Sequence, residues 1–508
     1  MKLTGGAAIV ESLAAHGVEV VFGIPGTHNL GIYAHLGIRH VSPRHEQGAG
    51  FAADGYARAT GRPGVCLTTS GPAVLNAATA AAQAYSDSVP VLFVSPGPPT
   101  DHPEHWTGIL HEVRSQTAAM EAVTAGSHRV TSVAEIPVAV AQAFAAMTSG
   151  RPRPRHIEIP YDLLDRVESV SIVAPFGRSV SVPDVRSAVA ALAGAVRPGI
   201  IAGGGARGCS LERLGIPVVT TTNGKGVVPE DHPCSLGTGL HLRAVADFVA
   251  DCDVVLAVGT ELAPADLWNG PLTFNGNLIR VDIDSAQAVT NAVPDIVLVG
   301  DARAIVAAFE VSRDSVERAD LWRARIASEA AELGSPWASL SSALGVLGRD
   351  GILAGDSTMA CYYGVQSTFP RYSPGTFLYP TGLGTLGYGL PAAIGAKIGQ
   401  PSRNVAALHG DGGFMFTAPE LATAAAEGLP IPVIVVDNGG YGEIKREMLD
   451  RGDKPLGVDL PSPDFAALGR SLGCHGVTNP TDLEATLEEA FAADRPTVIH
   501  VAEVRLSR

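Results

Sequence analysis

Asp411 and Asn438 stand 27 positions apart, and each follows an apolar run, VAAL over Val405–Leu408 and IPVIVV over Ile431–Val436. In a parallel sheet the carboxyl ends of neighbouring strands line one crevice, where ligands bind. The spacing therefore predicts the two side chains beside each other. A carboxylate, a side-chain amide oxygen and a nearby backbone carbonyl are hard donors that make an incomplete cage by themselves. They suit Mg²⁺ that takes its remaining oxygens from a bound phosphate and water. Gly410 and Gly412 flank Asp411, and glycine lets the backbone turn sharply and approach a ligand closely. The bland alternative is a strand–helix turn with a capping Asp and an unrelated Asn. A second acid, Glu46, opens a segment rich in Ala and Gly, where a carboxylate complements a helix dipole.

Such residues need strands and helices in alternation to position them, and the chain supplies these. A helix is predicted after Thr4, ended by Gly17, then a strand over Val18–Phe22 and a tight turn over Gly23–Asn29. Strand-to-loop junctions follow at Val65–Pro72 and Val89–Pro99, and Arg44–Gly61 carries the Glu46 helix. Pro175–Pro183 has the composition of a linker. Beyond it, Gly199–Gly208, Ile216–Gly226, Cys252–Leu262 and Leu278–Ser285 form another series of the same kind. Gly351–Gly364 is predicted as a strand feeding a helix at Asp356-Ser357-Thr358, whose hydroxyls and free N–H groups suit a diphosphate. Such alternation argues for parallel sheets with helices on their faces.

At 508 residues the chain is too long for one core, and two to four domains are expected. Its formal net charge of −15 argues against nucleic acid, which calls for a basic patch. Six scattered cysteines lack a CxxC pair, so neither a zinc site nor a disulfide framework is indicated, and a cytoplasmic location fits. The first residues carry Glu11 within their apolar run and read as an amphipathic helix, not a signal peptide. No segment approaches the ~20 apolar residues of a membrane span.

Gly410-Asp411-Gly412 with the following Asn438 resembles the thiamine-diphosphate motif of the pyruvate-decarboxylase and acetolactate-synthase superfamily. The resemblance implies thiamine diphosphate and Mg²⁺ as cofactors, with Asp411, Asn438 and the Gly440 carbonyl on the metal. Asp437 stands where many relatives have a second Asn. RHEQGAGFAADGYAR (Arg44–Arg58) resembles the family segment whose Glu bonds N1′ of the aminopyrimidine, which makes Glu46 the activating acid. Buried carboxyls hold their protons to higher pH and can share them with such a nitrogen. By the same resemblance, Ser357, Thr358, Gly410, Gly412, Gly413 and Tyr441 would contact the cofactor. The Gly384 carbonyl would accept from its 4′-amino group, and Leu386 would wedge beneath its bend. The implied fold is α/β, with three doubly wound parallel-sheet domains: pyrimidine-binding (1–168), central (182–310) and diphosphate-binding (325–508).

The resemblance also implies an activity: decarboxylation of a 2-oxo acid to an aldehyde through an enamine. An acetolactate-synthase-type or benzaldehyde-lyase-type carboligase is the alternative. A non-catalytic or dinucleotide-binding protein on the same scaffold is the reading from another class, and intact Glu46, Asp411 and Asn438 speak against it. His28 matches a His of benzaldehyde lyase and could shuttle protons, since histidine titrates near neutrality. Thr27 shares the loop of His28, which resembles a substrate-facing loop of the family, His111 falls where acetolactate synthases carry an active-site Gln, and the adjacent His pair of pyruvate decarboxylases is not found. GGGARG (Gly203–Gly208) sits in the domain that binds FAD in some relatives, but the segment Gly259–Trp268 lacks the Arg of acetolactate synthases, so FAD is not expected. That segment most resembles 5-guanidino-2-oxopentanoate (2-ketoarginine) decarboxylases. Glu443, Asp266 and Tyr441 become candidates for the substrate, as acids pair with a guanidinium in a planar, two-toothed way. The chain ends soon after His500–Val504, so the long lid of some relatives is expected to be absent. The family places its sites between subunits, implying a homodimer or homotetramer.

Overall fold

The computed structural model describes residues 1–103, 105–177 and 180–506. Three six-stranded sheets follow one another along the chain, and every strand pair within them is parallel. The first runs from Val20–Gly23 to Arg155–Pro160, the second from Pro198–Ala202 to Ile296–Val299, and the third from Ile352–Gly355 to Thr497–Ala502. Numbered within each sheet, the first and third share one order, second-first-third-fourth-sixth-fifth. The middle sheet is third-second-first-fourth-fifth-sixth, the doubly wound order of dinucleotide-binding folds. An antiparallel pair, Lys2–Thr4 with Val167–Ser169, closes the first unit.

The α/β class is as the sequence predicts. Part of the linker expected over 175–183 lies outside the described residues, namely 178 and 179, and its other residues carry neither helix nor strand. One element differs. After Gly355 the chain does not enter an α-helix at 356–358 but bends and forms a π-helix over Ala360–Val365. The Asp356 side chain bonds the Ser357 N–H. Wide turns of this kind are frequent at functional sites.

The first and third units share a single apolar core, which includes Phe51, Ala52, Tyr388, Ala392 and Phe414. Its centre is the contact between two helices, Glu46–Thr60 and Gly389–Gly399. His45 caps the first by accepting from the Gln47 N–H, and Gly61 ends it in the left-handed conformation at φ 72°. Glycines set the separation. A Cβ on Gly395 would stand 1.8 Å from the Ala52 carbonyl oxygen, and one on Gly55 would stand 2.2 Å from that of Ala392.

Polar bonds lock the same seam. Asp54, fully buried, accepts from Arg58 Nε at 2.6 Å and from the Tyr388 hydroxyl at 2.6 Å. Arg58 continues to Asp87 at 2.8 Å, and Asp87 accepts the Gly382 N–H at 2.8 Å. The loop that precedes Leu386 is thereby tied to the first unit. Overpacking a backbone contact costs about 1–3 kcal/mol or more. Gly395→Ala is expected to lower the urea midpoint of unfolding by a corresponding amount, and an unchanged midpoint would contradict the close-approach account.

Candidate active site

The third sheet's strands Val405–Gly410 and Pro432–Asp437 are neighbours, with Gly410 opposite Val436. Asp411 and Asn438 therefore emerge side by side, as the spacing predicts. Asp411 is buried, and its carboxylate accepts backbone N–H bonds from Asn438, Gly412 and Gly440. Burial, and then the neighbouring Asp437 carboxylate, nevertheless push its pKa up to about 6. Gly440 has φ 138°, and a Cβ there would lie 2.0 Å from the Val458 carbonyl oxygen, so only glycine fits. Its own carbonyl oxygen points to Gly412, 3.4 Å from where a Cβ would stand.

Two further acids shape this corner. Glu503 takes a hydrogen bond from the Asn438 side chain and another from Trp337 Nε1 at 2.9 Å. As an acceptor it engages the amide N–H₂ group and leaves the Asn438 oxygen for another partner. Asp437 is occupied elsewhere, by Ser462 Oγ at 2.7 Å, the Gly439 N–H at 3.0 Å and His500 Nε2 at 2.9 Å. Among the described residues, no three His, Cys, Asp or Glu side chains gather as a complete metal cage. A raised carboxylate, an oriented amide oxygen and a carbonyl fit a divalent cation that brings phosphate oxygens with it.

Asp356 binds the adjoining loops together. It is fully buried and accepts from His409 Nδ1 at 2.6 Å, the Ser357 N–H at 2.8 Å and the Gly387 N–H at 2.9 Å. Leu386 Cδ2 then lies 3.4 Å from the Cβ that Gly413 lacks, and Thr358 Oγ1 lies 2.7 Å from the Cβ that Gly410 lacks. The Tyr441 ring stands 2.9 Å from the corresponding point on Gly412. Gly384 follows Pro380 in the same loop with φ 65°. Thr358, Leu386, Gly410, Gly412, Gly413 and Tyr441 thus meet at one strand end, and Gly384 lies exposed on the loop before Leu386.

In the first unit, Glu46 is half-buried and accepts from Asn76 Nδ2 at 2.9 Å. The buried Glu420 of the third unit holds the approach to it, accepting the N–H groups of Arg44 and His45 at 3.0 Å each. Within the single chain Glu46 and Asp411 share no bond. His28 and His111 are brought together, with ring centroids 5.2 Å apart. The hydroxyl of Ser70 lies between them, 2.6 Å from His28 Nδ1 and 3.4 Å from His111 Nδ1. Tyr161 stacks on His28 at 4.9 Å. Burial, and then His111, lower the His28 pKa below the usual histidine value. Thr27 is exposed.

Glu443 meets the Tyr363 hydroxyl at 2.9 Å. Asp266 is not part of that group. It lines a cavity of about 670 Å³ between the three units, with the Thr222 N–H 3.4 Å from its carboxylate. Two positions further on, the Trp268 ring is the part of the segment that reaches Tyr363, at 5.4 Å. The same cavity is lined by Arg151, paired with Glu261 and with Asp282.

Sequence reasoning missed Ser70, Glu420 and Glu503. Each acts on a residue at least 41 positions away, so no local spacing announces it.

These features define a strand-end crevice in a parallel sheet, lined by hard oxygen donors and close-packed glycines. The chain belongs to the thiamine pyrophosphate enzyme family. It matches the N-terminal TPP binding domain over residues 3–120, the central domain over 185–309 and the C-terminal TPP binding domain over 355–501. It is 42% identical to the probable 2-ketoarginine decarboxylase AruI of Pseudomonas aeruginosa, covering 98% of this chain and 94% of that protein. It is 33% identical to a probable acetolactate synthase large subunit of Methanocaldococcus jannaschii, covering 98% and 92%. Against the acetolactate synthase of Mycobacterium avium it is 35% identical, covering 98% and 87%.

A proton competes with any cation for Asp411. Mg²⁺ affinity measured with thiamine diphosphate is expected to fall about tenfold per pH unit below about 6. Because Asp437 helps to raise Asp411, Asp437→Asn should move that fall to lower pH. Calorimetric titration checks this, and a midpoint unmoved by the substitution contradicts it.

Proposed function

We propose that the protein is a thiamine-diphosphate- and Mg²⁺-dependent decarboxylase of a 2-oxo acid that carries a guanidino group. The observation that carries this reading is the corner formed by Asp411, Asn438 and Gly440, in a chain similar along its length to a probable 2-ketoarginine decarboxylase. Asp411, Asn438 and the Gly440 carbonyl would hold Mg²⁺; Ser357, Thr358 and the glycines 410, 412 and 413 would hold the diphosphate. Leu386, the Gly384 carbonyl and Tyr441 would fix the cofactor's rings. Bound there, thiamine diphosphate supplies a nucleophilic ring carbon and a sink for the electron pair released as CO₂ leaves.

This chain's own groups manage protons and position. Glu46 would face the aminopyrimidine ring nitrogen and share a proton with it, and Asn76 Nδ2, donating to its carboxylate, keeps it oriented. His28, with its lowered pKa, is neutral at pH 7 and free to take or pass a proton. Ser70 couples it to His111, so the pair can deliver a proton to the product carbon before the aldehyde departs. Glu443 receives the guanidinium. Among the described residues the six cysteines are free and buried, which suits a reducing cytoplasm.

The site is proposed to be completed by a second copy. Met415 and Phe416, just past the metal corner, are about half exposed at 50% and 53%. Leu383 beside the Leu386 loop is 47% exposed, and Leu75, next to the Glu46 partner Asn76, is 39% exposed. Apolar rims on both halves of the site suit a homodimer or a dimer of dimers.

A carboligase is the second reading, favoured by the similarity to acetolactate synthases. Decarboxylation measured over a panel of cationic, aliphatic and aromatic 2-oxo acids tests the proposal, with product analysis in the presence of an added aldehyde. The guanidino acid is expected to give the highest kcat/KM and a simple aldehyde product. Glu46→Gln should lower kcat by about 10²–10⁴-fold. A panel without preference for the cationic acid, or a condensed product, overturns the corresponding part.

A further inference from the structure

The side chains around Glu443 form a receptor for a flat cation, and one cation already sits in it. Tyr363 donates its hydroxyl proton to Glu443 Oε1 at 2.9 Å. The Arg446 guanidinium donates to the same carboxylate oxygen and to the Tyr363 oxygen. Its Cζ lies 4.9 Å from the Tyr363 ring centroid, within the range of cation–π attraction. Trp268 and Tyr362 stand edge-on to that ring at 5.4 and 4.6 Å. The second carboxylate oxygen, Oε2, is buried and has no hydrogen-bond partner.

Two details set this apart from a simple surface ion pair. A carboxylate matches a guanidinium best through both oxygens, yet Arg446 uses one. The Arg446 side chain is 47% exposed, against 23% for Glu443, so the cation is the part able to leave. The receptor also lies beside the cofactor corner. Glu443 is in the first turn of the helix that follows Asn438–Gly440, and Tyr363 is in the π-helix that follows Ser357 and Thr358.

We infer that Arg446 is an internal stand-in for the guanidinium of the substrate, seated on Glu443 and Tyr363 in the free enzyme and displaced when a guanidino acid binds. This rests on the decarboxylase reading above. The exchange swaps one guanidinium for another, so the half-buried carboxylate is never left without a counter-ion. It also sets specificity. A neutral side chain cannot displace Arg446, and it meets a site already filled.

Arg446→Met and Glu443→Gln, compared with the wild type, test this. N-propylguanidine serves as the probe, followed by tryptophan fluorescence and as a competitive inhibitor. Removing a half-exposed ion pair is expected to tighten propylguanidine by about two- to fivefold in Arg446→Met, and to lower KM for the guanidino acid by a similar factor, while a neutral 2-oxo acid of equal length, no longer met by a filled site, gains as well. Glu443→Gln should weaken propylguanidine by about tenfold or more. If Arg446→Met binds propylguanidine equally or more weakly, the stand-in is refuted and Arg446 is a fixed part of the wall. A wild type without preference for the guanidino acid refutes the substrate reading instead, and the propylguanidine comparison still decides the role of Arg446.

Discussion

The close approach of the Glu46–Thr60 and Gly389–Gly399 helices is the constraint on which the rest depends. Gly55 and Gly395 let the two backbones touch, and one apolar core then spans the first and third units. Glu46 is the first residue of one of these helices, and the Leu386 loop leads into the other. Any widening of the seam would move an acid and a cofactor loop together. The Asp54–Arg58–Asp87–Tyr388 bonds and the Glu420 acceptor reinforce the seam with groups that burial makes expensive to leave unpaired.

Around the crevice, carboxylates do different work according to what surrounds them. Asp356 is saturated by His409 and by backbone N–H groups and serves as a clamp. Asp437 is taken by Ser462 and His500, so it raises Asp411 without competing for the same partner. Glu503 orients an amide. Asp411 is left buried, raised and without a cationic partner, which is the condition a divalent ion relieves. On the first unit, Ser70 makes one hydrogen-bonded group of two histidines that lie far apart in sequence.

Much of this was legible in the sequence because the signals are local. Apolar runs that end in Gly-Asp-Gly or Asp-Asn-Gly mark strand ends, and strand ends in parallel sheets share a crevice. The alternation of strands and helices gave the class. Partners that meet only through tertiary packing left no trace: nothing near Asn438 points to Glu503, and nothing near Glu46 points to Glu420. Segment resemblance groups Asp266 with Glu443, but its Pro264–Asp266 turn carries it into the central cavity, and Trp268 reaches Tyr363 instead. The π-helix after Thr358 leaves no mark in the sequence, because its residues have ordinary helical composition.

The central claim is that Glu46 of one copy works opposite the Asp411 corner of another. Mixing two inactive chains, one carrying Glu46→Gln and the other Asp411→Asn, after joint unfolding and refolding, tests it most directly. Half of random dimers would be mixed, each with one intact site, so about a quarter of wild-type activity should return. If each chain builds its site alone, the mixture stays as inactive as its parts.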